Sequence, residues 1–154
     1  MTSLVRAVVV AALALSLVAT AGCGGDTKKS NDYVVAINKV QTDFVNSVTK
    51  QAAGPAAGST QQAKDIFNNL DAALGKLVTQ LNGITPPDKV KTLHRELVSE
   101  IQQFQTAVRH AGAAASSGDP QKMLAARTSF GSEISKVGLK FNNTISAINT
   151  QLHK

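Results

Sequence analysis

Apolar residues recur at spacings of three and four in four successive blocks of this chain, and that periodicity restricts it to an all-α fold. The first block carries Tyr33, Ile37, Val40, Phe44 and Val48, and the second Ala63, Ile66, Phe67, Leu70, Ala73, Leu74, Leu77 and Leu81. The third carries Val90, Leu93, Leu97, Ile101, Phe104, Val108 and Ala111. The fourth carries Met123, Ala126, Phe130, Ile134, Val137, Phe141, Ile145, Ile148 and Leu152. None has the period-two alternation of a strand. The blocks are separated by residues that end helices: the Ala/Gly/Pro stretch 52–58, then Asn82-Gly83 with Pro86-Pro87, then Gly118-Asp119-Pro120. The expected helices are about 31–51, 59–82, 87–116 and 119–152. Ser59 with Gln62 forms a capping-box pattern, and Asp119-Pro120 supplies a cap and a first helical residue.

The stripes also predict partners. In an antiparallel hairpin folded at residue 55, Tyr33 lies level with Leu77, Ile37 with Ala73, and Phe44 with Ile66. In one folded at residue 117, Leu93 lies level with Phe141, Leu97 with Val137, and Phe104 with Phe130. Two hairpins that bury their apolar faces against each other make an up-down-up-down four-helix bundle over residues 31–154. The third helix, about 42–45 Å long, should overhang the first, about 30 Å long.

Residues 1–22 read as a leader rather than as part of that domain. Arg6 precedes an apolar run from Ala7 to Ala19, shorter than the roughly 20 residues that span a bilayer. Small residues follow, and Cys23 is the chain's one cysteine. An exported domain commonly pairs its cysteines, so a lone one calls for another use. The stretch Val18-Ala19-Thr20-Ala21-Gly22-Cys23 resembles the lipobox of bacterial lipoproteins, with Thr20 where Leu is usual. The resemblance implies a signal peptide over 1–22, diacylglycerol and acyl chains on Cys23, and a domain held on the outer face of the cell membrane. An ordinary secretory leader with a chance thiol behind it is the competing reading. Residues 23–30 then form the lipidated cysteine and a flexible polar tether, about 20–25 Å when stretched.

The layout continues with Pro86-Pro87-Asp88-Lys89-Val90-Lys91-Thr92-Leu93-His94, a double-proline break before a helix with a basic, histidine-bearing start. Lipobox, tether and this break together resemble the small Ala-rich lipoproteins of Actinobacteria. That resemblance implies a location and no activity, and only Cys23 has a role to carry over.

The remaining residues argue against several chemistries. There is no His-Glu-x-x-His helix, no Gly-x-Ser-x-Gly elbow and no phosphate loop, so the reading is non-enzymatic. Glu96 and Glu100 lie one turn apart and read as a solvated face, and His94, adjoining the core stripe, as a boundary residue, hydrogen-bonded or half exposed. His110 and Met123 fall at similar height across the second hairpin, a pair able to ligate haem iron or another metal; core filling by Met123 and exposure of His110 compete with it. The formal net charge of +6 becomes +5 once Arg6 leaves with the leader. That is too weak and dispersed for nucleic acid, and aromatic residues at 4% with no Trp offer no stacking platform. Lys28, Lys29, Lys89, Lys91 and Lys154 gather at the membrane end, where anionic headgroups attract them. Lys50, Arg109, Lys122 and Arg127 form a basic far tip suited to an acidic polymer or protein. Apart from the lipid, no cofactor is expected. The expectation is a membrane-tethered binding or interaction module of the cell envelope, with a carrier of a lipid or other apolar ligand as the alternative.

Overall fold

The computed structural model of the chain describes residues 25–52 and 60–154, and these are all-helical, with no strand among them. Four helices form a helical bundle: α1 (Gly25–Ala52), α2 (Thr60–Asn82), α3 (Lys91–Ser116) and α4 (Pro120–Leu152). A single 3-10 turn, Asp88–Val90, leads into α3. Among the described residues no helix is long and apolar enough to cross a membrane.

α1 departs from expectation at its start. It begins at Gly25, so residues 25–30, expected to be part of a flexible tether, are helical. Two interactions favour the added turns. Lys28 and Asp32 pair at 2.6 Å with the i,i+4 spacing of neighbours on one helix face. Ser30, one turn before Tyr33, continues the buried stripe. α1 is therefore 28 residues long against 26 for α3, and the expected length mismatch between them is absent.

The third helix also starts differently. Pro87 is extended (φ −56°, ψ 149°), the Val90 N–H donates to the Pro87 carbonyl at 3.0 Å, and the α-helix proper begins at Lys91. Val90 is fully buried, which locks the turn against the bundle. α4 starts as its sequence demands. The Asp119 carboxylate accepts from the N–H groups of Gln121 and Lys122, and Pro120 occupies the first turn, where its missing N–H has no helical partner. Gly118 supplies the positive φ (68°) of the turn between α3 and α4.

Packing is uneven across the bundle. Tyr33, Leu74, Leu97, Val108 and Ile148 are almost completely buried and Val48 and Ala111 nearly so, whereas Ile66, Phe67, Phe104, Phe130 and Ile134 are half-buried. It is also graded between helices, with α2–α3 and α3–α4 in close contact over longer stretches than α1–α2. One cause is a glycine. A Cβ on Gly112 would stand 2.9 Å from the Cβ of Phe67, so α3 meets α2 there at a distance only glycine permits. Gly131, by contrast, faces open space in mid-α4.

These two glycines give opposite predictions for one substitution. Gly112→Ala gains helix propensity but must push α2 away, and a net loss of about 1–2 kcal/mol is expected. Gly131→Ala meets nothing and should gain about 0.5–1 kcal/mol. Urea denaturation of both variants beside wild type checks the pair; equal effects would contradict the close approach.

Candidate functional site

The most constrained polar constellation joins three helices. His94, near the start of α3 and 5% exposed, has Nε2 at 3.1 Å from the Leu81 carbonyl and Nδ1 at 3.1 Å from the Tyr33 hydroxyl. A carbonyl only accepts, so Nε2 carries the ring proton. In the neutral imidazole Nδ1 is then an acceptor, and Tyr33 donates to it. The chain runs from the Tyr33 O–H of α1 through His94 of α3 to the last turn of α2. There the Leu81 carbonyl also accepts from the Ile84 N–H at 3.0 Å. The two rings meet edge to face at 73° with centroids 5.6 Å apart. Burial lowers the His94 pKa below the ordinary histidine value, partly opposed by the Leu81 hydrogen bond, and burial raises the Tyr33 pKa. His94 is thus hydrogen-bonded, one of the two forms expected of it, but buried more deeply than a boundary residue. Close by, the Lys89 ammonium donates to the Leu152 carbonyl at 3.1 Å and caps the end of α4.

A second buried polar pair lies between α3 and α4. The Thr144 hydroxyl donates to Glu100 Oε1 at 2.9 Å, both residues are 7% exposed, and Glu100 Oε2 has no hydrogen-bond partner. Glu100 was expected on a solvated face; α4 covers it, while Glu96 one turn earlier remains exposed. Desolvation raises the Glu100 pKa. The Thr144 hydrogen bond opposes this, Glu96 adds to it, and Lys140 lowers it.

The residues singled out from the sequence are scattered. Cys23 lies outside the described residues. Lys50 and Lys122 are exposed, and Arg127 lies on α4. Arg109 is tied down: its Nε donates to Asp71 Oδ1 at 2.8 Å, and the Gln105 amide donates to the same oxygen, also at 2.8 Å. His110 is exposed and Met123 half-buried. Among the described residues no cluster of three or more His, Cys, Asp or Glu could hold a metal ion. At the clasped end Lys28 and Lys91 pair with Asp32 and Asp88, and Lys29 lies near enough to help lower the Asp88 pKa after Lys91. An open groove of about 310 Å³ runs along α1 beside Asn38, Gln41, Thr42, Val45 and Asn46.

Sequence reasoning missed the roles of Tyr33, His94 and Glu100. A histidine adjoining an apolar stripe was visible, but its partners come from two other helices. No protein-family model, curated protein or solved structure matches the chain.

Two substitutions probe these sites. Tyr33→Phe leaves Nδ1 without its donor in a buried place, and a loss of about 1–3 kcal/mol is expected in urea unfolding at neutral pH. For Glu100 the folded pKa lies above the unfolded one, so its contribution is fully present below the unfolded value of about 4.5 and is lost as pH rises through the folded value. Glu100→Gln should therefore be the more stable protein at neutral pH, by on the order of 1 kcal/mol, with the gap closing toward acid. Thermal melts of both proteins across that range measure it.

Proposed function

We propose that this chain is an exported lipoprotein, anchored through Cys23 to the outer face of the cell membrane, whose helical domain is a non-enzymatic binding or interaction module of the cell envelope. The observation that carries the reading is the junction of two features. The lipobox-like stretch Val18–Cys23 is followed, two residues past the cysteine, by a helix whose Ser30, Tyr33 and Val34 are already buried. A lipid on Cys23 would hold that helix, and the bundle end it belongs to, against the bilayer.

The arrangement of the helices is read as up-down-up-down. Support comes from the contacts of Tyr33 with His94, Asp71 with Arg109, Phe104 with Phe130 and Glu100 with Thr144. In that order the exposed Lys28, Lys29, Lys89, Lys91 and Lys154 face the anionic headgroups. Lys50 and Lys122 point toward an envelope protein or polymer at the other end. A carrier of an apolar ligand is the second reading. It draws on the half-buried Phe67, Phe104 and Phe130, which form a loosely covered aromatic cluster in the far half. Native mass spectrometry separates the two, because a carrier retains a bound mass.

Cys23→Ala tests the anchor. The variant should lose incorporation of a labelled fatty acid and be released from the membrane fraction or left with its leader uncleaved. Wild-type labelling and membrane association in that variant would sink the proposal. For the interaction module, crosslinking in intact envelopes should capture a discrete partner that is lost when Lys50 and Lys122 are reversed in charge.

A further inference from the structure

His94 is buried, lies between three helices, and has both ring nitrogens committed in one tautomer. A second proton would have to enter at Nδ1, which now accepts from Tyr33. Nδ1–H would then donate to the phenol oxygen, and the phenol proton, 1% exposed with its residue, would lose its acceptor. The new cation would sit among Val90, Leu97 and Leu81, all 2% exposed or less.

Among the described residues no counter-charge faces the ring. From α1 the facing group is the Tyr33 phenol; Asp32 is exposed and pairs with Lys28. From α2 it is the Leu81 carbonyl. On the 3-10 turn Asp88 is exposed and pairs with Lys91. On α3 itself Lys91 and Arg95 are exposed cations, and α4 brings the apolar Ile148 and Leu152 to this end, with His153 and Lys154 exposed beyond them.

The helices around His94 are not equally held. Glycine-mediated contact at Gly112 and the hydrogen bonds of Asp71 with Gln105 and Arg109 join α2 to α3 elsewhere along their length. The Thr144–Glu100 pair and the Phe104–Phe130 stack join α3 to α4, and a proton on Glu100 removes a buried charge rather than creating one. α1 has the shortest close contact with its neighbour, and Tyr33 makes a buried hydrogen bond from it to α3.

We propose that His94 is an acid-operated latch: when its ring takes up a second proton, the start of α1 is released from α3 while α2, α3 and α4 stay together. The device is independent of lipid attachment at Cys23.

The chain carries its own reporter, since Tyr33 is its one tyrosine and it has no tryptophan. For the full chain in detergent, acrylamide quenching of tyrosine emission should rise several-fold between about pH 7.5 and about pH 5, with most far-UV helix signal retained. His94→Gln offers one donor and one acceptor but takes up no proton, and its tyrosine should stay shielded throughout. A wild-type tyrosine that stays shielded, or equal exposure in the variant, overturns the latch. Should the variant not fold, NMR titration of the wild-type imidazoles decides. Tyrosine exposure must follow the protonation of the His94 ring; exposure that does not follow it overturns the proposal.

Discussion

The fold depends on a polar connection inside an apolar end. Tyr33 and His94 could each be satisfied by water if exposed; buried, they find their partners in one another and in the Leu81 carbonyl. Their geometry sets the rotation of α1 and α3 about their axes and the height at which α2 stops, because a hydrogen bond tolerates far less displacement than a contact between aliphatic side chains. The Lys89–Leu152 contact does the same for the end of α4. His94 and Lys89, only five residues apart, thus reach α1, the end of α2 and the end of α4.

Away from this end the bundle is held by different means. α2 and α3 approach closely because Gly112 has no side chain, and α3 and α4 meet through a carboxylate–hydroxyl pair and a stack of phenylalanines. Buried hydrogen bonds impose register and small residues impose distance, whereas the half-covered apolar side chains of the far half impose neither strictly. The same continuous helices are therefore held by hydrogen bonds in some places and by a glycine contact or half-covered side chains in others.

The four stripes and the breaks between them were legible because they depend on each helix's own period. Phe104 and Phe130 were expected at equal height and do stack. What was not legible lies on the flanks of the stripes. Glu100 and His94 each adjoin an apolar face, and whether such a residue is solvated or covered depends on how the neighbouring helix is rotated, which periodicity does not encode. Gly112 has no signature in the periodicity, because its role depends on Phe67 of another helix lying against it. The start of α1 was not legible because Gly24-Gly25 and the polar run after them have low helix propensity; the Lys28–Asp32 pair and the burial that begins at Ser30 and Tyr33 act against it.

α4 has a consequence of its own. It is 33 residues long, yet over residues 121–136 it is covered along a narrow strip only, while Val137, Ile145, Ile148 and Leu152 are buried. One helix thus belongs to two cooperative units. Its first half can fray and re-form locally without disturbing the second, so backbone amides along a single unbroken helix exchange with solvent at rates that fall from its N-terminus toward its C-terminus.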